Sequence, residues 1–267
     1  MDALIGLLRG MESALLAYSG GVDSTFLLKA VNLSGIKGLA VTANSGTMPE
    51  DDLENAVSMA SMTGVPHRVI KTSELENEDF LANTPRRCFH CKNELFEKLK
   101  GIAQGEGLRF VMDGSNMDDL DDTRPGMEAG RLHRVRSPLI EAGFTKEEIR
   151  EASRLLGLPT WDRHASPCLA SRFPHGVRIT PEALKTVASA EKALGEMGFG
   201  GPLRVRHHGD TARIVLSAGE IKRMLSPEIR GLVVGKLLAL GYKFVSLDLE
   251  GYKSGKMAGS ARFLNKE

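Results

Sequence analysis

Residues 17–25 read AYSGGVDST and follow directly on a short apolar run beginning at Ala14. A plain strand-to-helix turn needs one glycine at most. Two adjacent glycines let the backbone approach a ligand closely and aim successive N–H groups into one concavity, an anion nest. Asp23, Ser24 and Thr25 then open a helix, whose N-terminus adds partial positive charge and hydroxyl donors. The stretch reads as a phosphate site built from Ala17, Ser19, Gly20, Gly21, Asp23, Ser24 and Thr25. It lacks the Gly-Lys-Ser/Thr ending of loops that handle β- and γ-phosphates, so γ-phosphoryl transfer is not the reading. Taken alone, the same residues also fit an ordinary helix N-cap.

Short apolar strands and helices alternate on either side of this loop. Ala14–Ser19, Gly38–Asn44, His67–Ile70 and Phe110–Met112 read as strands; Asp23–Leu33, Glu50–Met62 and Lys92–Ala103 read as helices. Thr145-Lys-Glu-Glu148 is a capping box that starts a further helix. Such alternation predicts an α/β fold with a doubly wound parallel sheet, which binds ligands at the carboxyl ends of its strands. The glycine loop lies at such an end. So do Asn44-Ser45 and Asp113-Gly114, and this convergence predicts a nucleotide pocket including Asn44, Ser45 and Gly114.

The pattern changes after Gly176. Thr180-Pro-Glu caps a helix running to Met197. Leu203–His208 and Arg213–Ser217 read as a hairpin, and Lys243–Leu249 as a last strand after two helical pieces split at Ser226-Pro227. The expected organisation is therefore residues 1–175 as the nucleotide domain and 176–267 as a smaller α+β domain. On the first strand of the hairpin, Arg204 and Arg206 share a face opposite Leu203 and Val205. Arg206 reads as part of a solvated face. Glu191 falls between Val187 and Leu194 on an apolar helical stripe, where an unpaired carboxylate is costly, so it is expected to pair with an arginine or bind metal.

Composition excludes several classes. Of 267 residues, 42% are hydrophobic and 26% charged, ordinary for a soluble globular protein, and the net charge of +1 offers no basic excess for a long nucleic acid. No apolar run reaches the length of a membrane span, and Asp2, Arg9 and Glu12 break up the N-terminal stretch, so a cytoplasmic location is expected. Three cysteines are too few for a disulfide scaffold. Cys88 and Cys91 form a CxxC, and Cys168 lies in SPCLASRFPHG. Spacing alone leaves three readings open: an iron–sulfur cluster, a zinc site completed by His90 or His164, and thiols without metal.

SGGVDST is the signature of the PP-loop ATP pyrophosphatases. Across both halves the chain further resembles the LarE family, the sulfur transferases of nickel-pincer cofactor synthesis. TANS (42–45), NTPRRCFHCK (83–92), MDGSNMDD (112–119), DDTRPG (121–126), SPCLASRFPHG (166–176), RVRHHGDTARI (204–214) and VSLDLEGYKSGKM (245–257) carry the resemblance.

The resemblance implies that ATP adenylates the carboxylates of pyridinium-3,5-biscarboxylic acid mononucleotide and that sulfur then displaces AMP. The glycine loop would hold the departing pyrophosphate, Asp23 would ligate Mg²⁺, and Lys92 would lie near the phosphates. Ser171, Arg172 and Arg204, with Glu191, would hold the substrate. Some members have a single cysteine matching Cys168, which gives up its own sulfur. The CxxC here resembles instead the subgroup in which Cys88, Cys91 and Cys168 hold a 4Fe–4S cluster, with sulfide from a donor on the open iron. That cluster is the expectation, and sacrifice of Cys168 is its alternative. A tRNA thiolase and an amide-forming enzyme with structural zinc are the rival functions. The resemblance also implies a homo-oligomer, a hexamer, acting on a small mononucleotide without nucleic-acid or membrane partners.

Overall fold

The structure, a computed structural model, describes residues 1–120, 125–164 and 166–253. Most of the DDTRPG stretch, and the end of VSLDLEGYKSGKM from Ser254, lie outside the described residues. The chain forms two compact units. The first comprises Met1–Asn77 and Arg86–Ser166; the second takes Glu78–Pro85 and the chain from Pro167 onward.

Helix α1 (Asp2–Met11) leads into strand β1 (Ser13–Ala17), followed by α2 (Val22–Ser34), β2 (Lys37–Asn44), α3 (Glu50–Thr63) and β3 (His67–Lys71). A short helix α4 (Glu78–Leu81) belongs to the second unit. The first unit resumes with α5 (Arg87–Gly105), β4 (Phe110–Met112), α6 (Pro125–Leu132), α7 (Pro138–Glu141) and α8 (Lys146–Leu155). The sheet order is β3-β2-β1-β4, every pairing is parallel, and Leu15 stands beside Leu39 on one side and Val111 on the other. This is the expected doubly wound α/β sheet.

The apolar run of β1 explains its central place. Successive strand residues face opposite sides, so Leu16 enters a core with Phe26, Leu28 and Ile149, while Leu15 enters a second core with Phe96, Leu99 and Val111. Helices cover both faces, so no polar alternation is needed. The chain moves outward from β1 through β2 to β3 and later returns to the other flank with β4. That reversal opens a crevice between β1 and β4 at their carboxyl ends.

Two boundaries differ from the sequence reading. Strand β1 ends at Ala17, because Ser19 is drawn into the loop, its hydroxyl 3.1 Å from that of Ser24. Helix α5 begins at Arg87, so the CxxC lies within the helix rather than before it.

In the second unit α9 (Pro181–Glu196) starts at Thr180, whose hydroxyl accepts the Ala183 N–H at 3.1 Å. Strands β5 (Arg204–His208) and β6 (Thr211–Val215) are antiparallel around Gly209-Asp210, and Gly209 adopts φ 62° to make this two-residue turn. After α10 (Ala218–Met224) and α11 (Pro227–Ala239), strand β7 (Phe244–Leu247) pairs parallel with β6. Ala190, Leu194, Val205, Ile214, Val233 and Leu237 form the core. Asn83 ties in the early segment: its fully buried side-chain amide donates to the carbonyls of Pro174 (2.7 Å) and Val177 (2.8 Å).

Candidate functional site

At the end of β1 the chain turns through Tyr18-Ser19-Gly20-Gly21 into α2. Gly20 has φ 71°, and a Cβ there would stand 2.7 Å from the Cα of Ala56 on α3. Both the conformation and the close approach demand glycine. The Ser24 hydroxyl knits the loop: it lies 3.4 Å from the Ser19 N–H as acceptor and donates to the Gly21 carbonyl at 3.3 Å. Thr25 Oγ1 lies 3.1 Å from the buried Tyr18 hydroxyl, whose pKa is raised above its usual value by burial. Gly114, just beyond β4, packs on the start of α2; a Cβ there would come within 3.1 Å of the Ser24 nitrogen. Ala17, Ser19, Gly20, Gly21, Asp23, Ser24, Thr25 and Gly114 thus gather at the carboxyl ends of β1 and β4. Backbone N–H groups and a helix N-terminus at such an edge suit an anion.

Asn44 ends β2, and Ser45 Oγ sits 2.8 Å from Thr47 Oγ1. Thr47 donates in turn to the buried carboxylate of Glu74 at 3.3 Å, and the Cys91 thiol points to the same oxygen at 3.8 Å. Lys92 lies with its ammonium 5.3 Å above the Phe96 ring. The cation tied to the glycine loop is a different one. Lys146, the first residue of α8, donates from Nζ to Asp23. The sequence reading took Thr145-Lys-Glu-Glu148 only as a helix start. That much holds: Thr145 Oγ1 accepts the Glu148 N–H at 3.3 Å, and Glu148 accepts the Thr145 N–H at 2.8 Å.

The expected 4Fe–4S cluster of Cys88, Cys91 and Cys168 is overturned. Among the described residues no group of three or more His, Cys, Asp or Glu side chains is placed to hold a metal ion. Cys88 is exposed in the first turn of α5, and the Cys91 thiol points to the buried Glu74 carboxylate. Thiolates converging on iron would need neither arrangement. The structural-zinc reading goes with the same finding, and so does iron-bound sulfide as the nucleophile. Among the described residues Asp23 joins no such group either, and its carboxylate accepts from the Lys146 ammonium.

In the second unit Cys168 precedes a tight turn, Leu169–Arg172. Arg172, 1% exposed, fills the turn from within. Its Nε and Nη2 donate to the two Glu191 oxygens at 2.9 Å each, and its Nη1 to the carbonyls of Pro167 (2.6 Å) and Cys168 (3.2 Å) and to Ser171 Oγ (2.9 Å). Glu191 also accepts the Val205 N–H at 2.8 Å. The carboxylate on the apolar stripe is therefore paired with an arginine, one of the two roles its position allowed. Arg204 donates to the Leu203 carbonyl at 2.6 Å and lies 5.6 Å from the Tyr252 ring centre.

Arg206 departs from the sequence reading. It is 6% exposed rather than solvated, and its buried Nε has no hydrogen-bond partner. Burial, then the neighbouring Arg213, Arg172 and Arg204, hold its pKa below the usual guanidinium value, with Asp248 the opposing influence. The alternation of β5 marked which face Arg206 is on. It carried no sign that this face is covered as well. His208 stands in the same field, its pKa lowered by burial first and then by Arg213 and Arg206. Tyr242, pushed up to about 12 by burial and by Glu191, sits with its hydroxyl 3.3 Å from His207 Nδ1.

A parallel doubly wound sheet, a glycine-rich anion loop on its first strand and a smaller mixed sheet after it define the PP-loop ATP-pyrophosphatase class. No family model matches the chain. An uncharacterised protein of Synechocystis is 42% identical over 248 residues, 92% of each chain. The pyridinium-3,5-bisthiocarboxylic acid mononucleotide synthase of Lactiplantibacillus plantarum is 36% identical over 256 residues, 95% of this chain and 92% of that protein. A tRNA-specific 2-thiouridylase of Heliobacterium modesticaldum is 30% identical over 188 residues, 55% of this chain and 48% of its own. The chain belongs to the LarE-like family of the Lactiplantibacillus synthase, within the PP-loop class. Its homology to enzymes of this class supports an ATP-using activity in general. Among the described residues no helix is long and apolar enough to cross a membrane.

Proposed function

We propose that the chain is an ATP-dependent sulfur transferase acting in the cytoplasm on a small mononucleotide. It converts the carboxylates of pyridinium-3,5-biscarboxylic acid mononucleotide to thiocarboxylates, with Cys168 as the source of sulfur. The name of the Lactiplantibacillus relative supports the product. The observation that carries the reading is the arginine cluster beside Cys168. Arg206 is buried among three other arginines with a donor unspent, and the turn that holds Cys168 is pinned to one of those arginines. A buried cation short of anions is costly, and a phosphate monoester offsets that cost through charge-assisted, bidentate hydrogen bonds.

In this reading the glycine loop and Ser24 hold the phosphates of ATP while a substrate carboxylate oxygen attacks the α-phosphorus and pyrophosphate leaves. Adenylation is needed because a carboxylate is a poor electrophile and AMP is a good leaving group. Arg204 and Arg206 bind the substrate phosphate. Arg172, already engaged by Glu191, positions the Cys168 turn. The Cys168 sulfur then attacks the acyl carbon, its thiol proton is lost, and AMP departs to leave a thioester. Loss of the Cα proton breaks the Cβ–S bond, and the sulfur leaves on the product as a thiocarboxylate. Residue 168 remains as dehydroalanine, so each chain delivers one sulfur.

Replacing Cys168→Ala is expected to abolish thiocarboxylate formation while substrate-dependent release of AMP or exchange of pyrophosphate into ATP continues. Loss of both activities together, or survival of sulfur transfer, contradicts the proposal.

A further inference from the structure

His207 and His208 are neighbours on β5 and meet opposite surroundings. The His207 ring lies 5.0 Å from the Phe173 ring, and its Nδ1 is 3.3 Å from the Tyr242 hydroxyl. His208 projects from the other face of the strand, the face of Arg204 and Arg206. Its Nε2 is buried and has no hydrogen-bond partner, and the Nε of Arg206 is in the same condition. Two positions apart on one strand face, the two residues are about 7 Å apart at the main chain, close enough for both side chains to grip one phosphate.

The surroundings of His208 are mostly cationic. Arg213 stands opposite Arg206 on β6, diagonal to His208, while Thr211 opposite His208 is uncharged. Arg204 and Arg172 add two more guanidinium groups to the field of Arg206. Of the nearby carboxylates, Glu191 is paired with Arg172 at 2.9 Å, Asp248 lies 3.7 Å from Arg213, and Asp210 in the turn pairs with Lys243 at 2.9 Å. Burial first, then Arg213, Arg206 and His207, hold the His208 pKa below its ordinary value of 6.5. Packing alone does not explain an imidazole here, because an apolar side chain would fill the place without an orphaned nitrogen. A second charge is unfavourable beside Arg206 and Arg213 until an anion enters, and a doubly charged phosphate monoester reverses the sign of that field.

Resting on the substrate reading above, we infer that His208 completes the phosphate site of Arg206, taking one proton from solvent as the phosphate monoester binds and donating from Nε2 to a phosphate oxygen. No covalent bond to the substrate forms or breaks. The proton adds to the free ring nitrogen, and both nitrogens of the imidazolium then carry hydrogen. A compound of the same shape without the phosphate brings no charge to hold that proton, so His208 selects for the phosphorylated form. By linkage, binding coupled to uptake of one proton weakens by about tenfold for each unit that pH rises between the pKa of the empty site and that of the occupied one.

The test is calorimetric titration of the full chain at about pH 7.5, above the ordinary histidine pKa, in buffers of unequal ionisation enthalpy. The probes are the pyridinium dicarboxylate mononucleotide and the same compound lacking its phosphate. Wild type is expected to take up about one proton per mononucleotide bound, and none with the dephosphorylated compound. His208→Gln keeps a donor but cannot become charged. It should lose the uptake and bind the mononucleotide about tenfold more weakly, with its affinity for the dephosphorylated compound unchanged. Nitrogen NMR of the wild-type imidazoles reads the same event without a variant: one ring should become doubly protonated when the mononucleotide is added. Wild-type binding without proton uptake overturns the inference alone, as does undiminished uptake in folded His208→Gln. Failure of the wild type to bind the mononucleotide overturns the substrate reading on which it rests.

Discussion

The two units are both equipped for anions, and they do it in opposite ways. The first uses main chain: two glycines, a helix N-terminus and hydroxyls, with one carboxylate and one lysine as the charges in contact. The second uses the buried guanidinium groups of Arg172 in a turn and Arg206 on β5, the first of them held by Glu191. A site of backbone amides costs little to leave empty, because those dipoles are fixed by secondary structure. A site of buried cations is expensive to leave empty, and it needs a countercharge merely to fold. The difference predicts that the first unit depends on backbone shape and the second on charge balance.

Breaking the charge balance gives the larger effect. Glu191→Ala leaves Arg172 buried without its carboxylate and frees the Val205 N–H, so it should destabilise the second unit by about 3–5 kcal/mol in denaturant unfolding. An unchanged midpoint would remove Glu191 from its central place. In the first unit the matching blow is steric. Gly20→Ala must adopt the left-handed conformation and press a methyl group against the Ala56 backbone, for a loss of about 2–4 kcal/mol. Adding Ala56→Gly to that variant should recover little, because the Cα of Ala56 is itself 2.7 Å from the new atom.

The smallest effect sharpens the comparison through pH. His207 and His208 have folded pKa values lowered chiefly by burial, against an ordinary value of 6.5. In the folded chain each takes up its proton at a lower pH than in the unfolded chain, which does so around 6.5. Their stabilising contribution is thus present above that pH and is lost as pH falls through and below it. Unfolding followed between pH 7.5 and 5 should show this loss, and His208→Gln should flatten it. A slope of the opposite sign would mean that the histidines are charged in the folded cluster.

The same contrast explains what was legible beforehand. SGGVDST is contiguous, and each residue does a local job, so the loop and its sheet could be read from spacing and strand–helix alternation. The Thr145–Glu148 cap was visible for the same reason. Lys146 inside that cap was not assigned to the loop, because only the tertiary fold brings it to Asp23. Arg206 was placed on the correct face of β5 but read as solvated, since a period-two pattern marks faces without saying what covers them. The CxxC suggested metal by spacing, yet the early start of α5 and the Glu74 carboxylate give Cys91 a different neighbour. Pattern recovers sites made by consecutive residues. Sites assembled across the chain emerge only on folding.

The central claim is that Cys168 surrenders its sulfur, and intact-protein mass spectrometry tests it most directly. Wild-type protein would be incubated with ATP and the pyridinium dicarboxylate mononucleotide, then weighed and digested. The account predicts that each thiocarboxylate formed is matched by one chain lighter by the mass of H₂S, with dehydroalanine at position 168. Thiocarboxylate accumulating while the protein mass stays unchanged would contradict it.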